Sequence, residues 1–193
     1  MGPFHYLAGV ACALLVLCVG VAQPLAAEMS DPLESVARLD LERYMGRWYE
    51  IAKIPNRFQR KCAGDTTATY TLRPDGDVTV VNRCVRADGR EILTRGLAKV
   101  VDKDTGARLK VSFVSLVGIR LFWGKYWVIG LDPGYEWAVV GEPKRKYGWI
   151  LAREPDLTAE QWEEVRRILR DRGYDPTRFV VTSHSEAEPR TRD

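Results

Sequence analysis

From Trp48 onward the chain alternates apolar and polar residues in short runs, and each run ends at a turn signal. Trp48–Ile54 alternates until Pro55 stops it. Thr66–Leu72 (TTATYTL) places Ala68, Tyr70 and Leu72 on one face. RPDGD at 73–77 and RADGR at 86–90 set Asp-Gly between β-rich runs, which is the chemistry of tight hairpin turns. Val78–Val85 and Ile92–Val101 are therefore expected as strands. DKDTGA at 102–107 is a third turn, before Leu109–Ser115. GIRLFWGK at 118–125 reads as a loop with exposed aromatics. Tyr126–Leu131, Tyr135–Gly141 and Tyr147–Arg153 complete the set, parted by DPG at 132–134 and EPKRK at 142–146. Eight short strands joined by tight turns predict an antiparallel up-and-down sheet, with no βαβ unit and no internal repeat.

The period then changes. Thr158 and Gln161 form a capping box, and Trp162, Val165, Ile168 and Leu169 recur at helical spacing until Gly173 caps the end. Phe179–Thr182 is a last short strand, and SHSEAEPRTRD is a polar tail. The helix is expected to lay its apolar stripe, Trp162 included, on the outside of the sheet. An open eight-stranded sheet leaves two sticky edges, which closure into a barrel removes. At eight strands the interior is either packed with side chains or holds one small ligand. The last three strands are apolar on both faces, as in Tyr126-Trp127-Val128-Ile129. Either a ligand calyx or burial of both faces by packing accounts for that.

Composition narrows the partners. The 193 residues carry 29 basic and 26 acidic side chains, a net charge of +3, too even to point to nucleic acid. No Asp, Glu, Lys or Arg occurs in residues 1–27, and Leu7–Ala22 is almost wholly apolar. With small residues ending at Ala27, this reads as a secretory signal over 1–27, although a basic n-region is missing. A retained anchor, or lipidation at Cys12 or Cys18, is the minority alternative. Residues 28–38 are a loose leader, 39–182 the folded domain and 183–193 the polar tail. Export leaves Cys62 and Cys84 as an isolated pair, which suggests a disulfide rather than two buried thiols. The hairpin turn at Asp75-Gly76 brings their regions together. No nucleophile elbow, HExxH or histidine ligand set is present, so no enzyme, metal site or cofactor is expected. His5 lies in the signal and His184 in the tail, which argues against a histidine-activated cysteine and against ordinary haem ligation.

YMGRWYEIAKIPNRFQ, YWVIGLDPGYEWAVVGEP and YGWILAREP resemble the three signature blocks of the lipocalins, in order, around eight strand signals and before a helix. The resemblance covers 39–182 and is closest to the bacterial, apolipoprotein D-like branch, which TATYTLRPDGDVTVVNRC also fits. It implies an all-β fold: an eight-stranded antiparallel up-and-down barrel with one C-terminal helix packed outside. It also implies that Gly46, Trp48 and Arg153 are structural and close the floor of the cup. The implied function is storage or transport of small hydrophobic ligands, fatty acids or lysophospholipids, in the periplasm or at the outer membrane. A scaffold for protein interaction is the alternative. Alternation nominates Ala68, Tyr70, Phe113, Trp127, Val139 and Trp149 as ligand-lining residues, although a register error of one residue inverts the face. At the open rim, Phe122 and Trp123 would meet ligand or a membrane surface. Oligomeric state is not encoded in these patterns.

Overall fold

The computed structural model describes Gly2, residues 32–117 and residues 119–185. The expected signal at 1–27 lies outside these residues apart from Gly2, as do the start of the leader and residues 186–193 of the tail. The turns form where Asp-Gly placed them, with Gly76 at φ +81° and Gly89 at φ +78°, a region that glycine enters without steric cost. They join β2 (Gly64–Leu72), β3 (Val78–Val85) and β4 (Glu91–Val100). β1 is Gly46–Lys53, preceded by one helical turn, α1 (Leu41–Tyr44), which Asp40 caps. β5 (Arg108–Ser112) leads into a two-stranded hairpin of β6 (Val114–Leu116) and β7 (Ile119–Leu121). Then come β8 (Gly124–Leu131), β9 (Trp137–Gly141) and β10 (Gly148–Ala152).

β1, β2, β3, β4, β5, β8, β9 and β10 pair antiparallel in that spatial order, and β10 pairs back to β1 with Tyr49 opposite Ala152 and Glu50 opposite Leu151. The sheet is a closed eight-stranded barrel. A ninth strand, β11 (Val180–Val181), lies against β1 opposite Ala52 and Lys53. The sequence pattern predicts β5 through Ser115 and a loop over 118–125. Instead the chain breaks at Phe113 and makes a separate hairpin. Tyr135 belongs to the turn before β9, at φ +65°.

α2 (Ala159–Asp171) starts at the Thr158–Gln161 capping box and ends with Gly173 at φ +72°, where Tyr174 N–H bonds back to the Leu169 carbonyl. Strand alternation then builds two apolar layers. Trp48, Tyr70, Val80, Ala98, Leu109, Val128, Val140 and Leu151 fill the inside of the barrel. Ile51, Ile129, Trp137, Val139, Ile150 and Ala152 face outward, where Val165 and Leu169 of α2 cover them. The tail does not leave the domain at residue 183. Asp65 N–H bonds the Ser183 carbonyl at 2.8 Å, Ser185 N–H bonds the Asp65 carboxylate at 2.7 Å, and a His184 ring nitrogen lies 2.9 Å from the Glu50 carbonyl.

Candidate functional site

One end of the barrel is shut. Gly46 sits at φ +94°, and that conformation carries the chain from α1 into β1. Two residues on, Trp48 is fully buried, its indole N–H donating to the Tyr44 carbonyl at 2.9 Å. The Arg153 guanidinium lies over that indole, 3.8 Å from the ring centroid. Its nitrogens donate to the carbonyls of Arg47 at 2.9 Å, Arg43 at 2.7 Å and Tyr135 at 3.4 Å. Tyr135 in turn accepts Asp40 N–H through its hydroxyl at 2.9 Å and carries Arg43 over its ring at 4.0 Å. Gly46, Trp48 and Arg153 thus meet at one place, where strand, helix and the β8–β9 turn are tied together.

Above this floor the lining is aromatic. Tyr44, Tyr70 and Tyr126 join through their hydroxyls, Tyr126 to Tyr44 at 2.8 Å and Tyr126 to Tyr70 at 2.9 Å. Burial pushes the Tyr44 and Tyr126 hydroxyls well above their usual pKa and Tyr70 up to about 12, so all three remain neutral donors. Higher up, a polar knot faces the same interior. A β-bulge between Glu50 and Ala52 turns Lys53 inward, opposite Trp149. The buried Glu50 carboxylate accepts from Lys53 Nζ at 2.5 Å, from the Gln59 side-chain amide and from the Thr182 hydroxyl at 2.8 Å. Gln59 Oε1 takes the Trp149 indole N–H at 3.0 Å and the Asn56 amide at 2.8 Å. The knot holds the β1–β2 loop over the upper interior.

The alternation-based lining separates into two groups. Ala68, Tyr70 and Trp149 face the interior. Phe113 stands at the upper end of that wall, its ring against the position a Cβ on Gly96 would take. Trp127 and Val139 are corrected to the outer layer. Arg108 and Lys125 flank the Trp127 ring at 4.6 Å and 6.0 Å, and Val139 lies beneath the helix. On β8 and β9 both faces are apolar, one toward the lumen and one toward α2, so period-two alternation holds on either face and does not tell them apart. The inward residues there are Tyr126, Val128 and Val140. Tyr44 was missed because it precedes the first strand, and Tyr126 because its neighbour is the larger aromatic.

Cys62 and Cys84 are bonded, with Cα atoms 5.5 Å apart. The bridge ties the β1–β2 loop to the end of β3. His184 belongs to the folded region, contrary to the sequence reading. It packs edge-on against Tyr49, which faces outward, with ring centroids 5.3 Å apart.

The upper end carries the opposite character. β1, β3, β5 and β9 run away from the floor. The β1–β2 loop, the β3–β4 turn, the β6–β7 hairpin and the β9–β10 turn therefore ring the end opposite the floor. Val117 at the hairpin tip is 92 % exposed and Phe122 is 82 % exposed. Leu116, Ile119 and Phe58 are exposed as well.

A lipocalin-like domain profile matches residues 39–184. The chain belongs to the lipocalin family. This lipocalin is 40 % identical over 159 residues to temperature-induced lipocalin-1 of Arabidopsis thaliana, covering 81 % of this chain and 86 % of that one. It is 39 % identical over 146 residues to the outer membrane lipoprotein Blc of Escherichia coli, covering 75 % and 79 %. It is 33 % identical over 166 residues to apolipoprotein D of Macaca fascicularis, covering 79 % and 80 %. Among solved structures, insecticyanin from the tobacco hornworm Manduca sexta superposes with a TM-score of 0.66 at 24 % identity over 80 % of this chain and 85 % of that one, a likeness of fold. Membership supports a role in binding small hydrophobic molecules.

Proposed function

We propose that this lipocalin stores or transports a single-chain acyl lipid, a fatty acid or a lysophospholipid, in a bacterial cell envelope. The observation that carries the reading is the polarity of the barrel along its axis. It is sealed by Trp48 and Arg153 at one end, apolar and aromatic within, and ringed by exposed apolar residues at the other end. Such an interior suits an acyl chain, because each buried methylene contributes about 0.8 kcal/mol. Ten methylenes give about 8 kcal/mol before the losses of association. Ala68, Tyr70, Phe113 and Trp149 would line the chain, together with Tyr126, Val128 and Val140.

The rim suits contact with an anionic bilayer. Val117 and Phe122 combine high exposure with left-handed backbone, φ +49° and +56°. Solvent-facing valine and phenylalanine in that conformation are unfavourable on both counts, which points to a role at this end. Residues 55–63 and 113–125 carry Arg57, Arg60, Lys61, Arg120 and Lys125 and no carboxylate. An export signal over 1–27, cleaved after Ala27, would deliver the domain to the oxidising side, where a disulfide persists. The name of the Escherichia coli relative puts that protein at the outer membrane.

Native mass spectrometry of the protein isolated from its own host, before and after delipidation, tests the reading. A mass excess matching a fatty acid or lysophospholipid, lost and then regained from a lipid mixture, supports it. Protein that stays bare in every lipid offered overturns it, and a role as a scaffold for protein interaction takes its place. The same spectrum reports the mature amino terminus.

A further inference from the structure

Tyr44 on α1, Tyr70 on β2 and Tyr126 on β8 bring three hydroxyls together just above the floor. The Tyr44 ring lies 4.9 Å from Trp48 and 5.6 Å from Tyr70, centroid to centroid. Among the described residues the hydroxyls form an open chain with Tyr126 at its centre, since Tyr126 contacts both others. Each hydroxyl carries one proton. Three protons serve two contacts, so one proton is left over whichever way the chain is directed. Tyr44 and Tyr70 are buried, whereas Tyr126 is the half-buried member. Either oxygen of each pair can donate; in the arrangement where Tyr44 and Tyr70 both donate to the Tyr126 oxygen, the spare proton is the one on Tyr126, whose ring packs against the inner cluster. A donor left without an acceptor in a dry interior is unfavourable, so a ligand that brings an acceptor gains here.

We propose that the Tyr126 hydroxyl donates to the carbonyl oxygen of an uncharged carboxyl group, so that a fatty acid lies in the barrel carboxyl end inward. The inference rests on the acyl-carrier reading and narrows it. Among the described residues, no cation stands free beside the tyrosine hydroxyls. Arg153 lies beneath the Trp48 indole with its nitrogens engaged by the carbonyls of Arg43, Arg47 and Tyr135. The nearby carboxylate, Glu50, repels negative charge at Tyr70, although Lys53 pairs with it. The same desolvation that holds the tyrosines neutral disfavours a carboxylate beside them. A neutral acid satisfies both sides, its carbonyl accepting from Tyr126 and its O–H donating to a phenol oxygen. A lysophospholipid would have to bring its phosphodiester into the same dry end, so the site selects the acid.

The test uses delipidated protein with [1-¹³C]dodecanoic acid and, as a chain without an acceptor, dodecane. The carboxyl carbon of the bound acid is expected to show the chemical shift of a neutral acid at pH 7. Affinity for the acid should fall about tenfold per pH unit above the ordinary carboxylate range, because only the neutral form binds. Tyr126→Phe should weaken the acid about tenfold and leave dodecane within about twofold. The double variant Tyr44→Phe with Tyr70→Phe keeps the Tyr126 proton and should keep the neutral signal. A bound carboxyl that titrates as it does in water overturns the proposal without any variant. So does a Tyr126→Phe protein with both affinities unchanged. Dodecane binding without these signatures leaves the carrier reading standing and removes the orientation. Wild-type protein that takes up neither compound removes both.

Discussion

The two ends of the barrel are built on opposite terms. At the floor, Trp48 is fully buried, and Arg153 spends its donors on three carbonyls from three separate segments. At the rim, Val117 and Phe122 are almost wholly exposed, at the tip and the end of a hairpin whose two strands pair with each other and are tied to β5 through Ser112. Buried area and satisfied hydrogen bonds are what make an element costly to open, whereas exposed, self-paired elements open readily. Stability is therefore concentrated at the closed end, and freedom to meet a partner at the open one. Substitutions at the floor should change melting far more than ligand affinity, and substitutions at the rim should change contact with a lipid surface far more than melting.

Trp48→Ala is the largest expected effect. It removes the fully buried indole and leaves Arg153 without its ring, and a loss of about 3–5 kcal/mol is expected from chemical denaturation. A loss below about 1 kcal/mol would mean that the floor is not where stability resides. Replacing Cys62 and Cys84 by Ser tests the middle of the molecule, because the bridge joins the β1–β2 loop to β3 rather than sealing either end. The loop-closure argument gives about 3 kcal/mol, and reducing agent should lower the wild-type melting temperature to match the variant. Arg153→Ala should follow at about 2 kcal/mol, from lost carbonyl bonds and the lost ring contact. Its affinity for an acyl ligand should stay within about threefold, since the guanidinium lies below the tryptophan and not in the lumen. A variant that melts normally but binds poorly would reverse the assignment of the two ends.

The buried tyrosines give the floor a pH signature. Tyr70 is neutral up to about 12 in the folded protein, whereas an unfolded tyrosine ionises near 10. The unfolded chain thus releases its proton first. The contribution of this tyrosine to stability should be constant from neutral pH to about pH 10 and decline as pH rises from there toward 12. Thermal melts across that window, read beside the absorbance of tyrosinate, check it. A melting temperature that begins to fall below pH 9 would place the titration elsewhere.

Much of this architecture is legible in the chain. The Asp-Gly turns, the capping box and the Gly46-x-Trp48 start each act locally, so period and turn chemistry locate them. What the pattern does not carry is which face of a strand is inside. β2 shows it, because Thr67 and Thr69 are polar and Ala68 and Tyr70 are not. β8 and β9 hide it, because α2 makes the outer face as dry as the lumen, and Trp127 and Val139 were read on the wrong side of the wall. The bulge at Ile51 resets the alternation within β1 and brings Lys53 inward, which no propensity marks. The tail misled for another reason. Ser183–Ser185 are polar, yet the Ser183 carbonyl accepts Asp65 N–H, Ser185 N–H donates to the Asp65 carboxylate and a His184 nitrogen meets the Glu50 carbonyl, so docking and not composition orders them.

The rim offers the smallest effect on stability and the sharpest division between the two ends. Val117→Ser with Phe122→Ser removes two exposed apolar side chains that make little packing, so unfolding free energy should move by less than about 0.5 kcal/mol. Acyl-ligand affinity should also hold, because neither side chain belongs to the inner cluster. Sedimentation with vesicles of anionic phospholipid should separate the variant from the wild type. Each lost apolar side chain removes about 1–2 kcal/mol of insertion, so binding should fall at least about tenfold. The basic residues act differently. Arg57, Arg60, Lys61, Arg120 and Lys125 attract the surface through screened charge, so raising salt should weaken the wild type and the serine variant by similar factors. Salt-sensitive binding that survives the serine changes would assign the contact to charge alone. Loss of binding together with loss of stability would mean that the hairpin is part of the folded core, and the contrast between a fixed floor and a free rim would then fail.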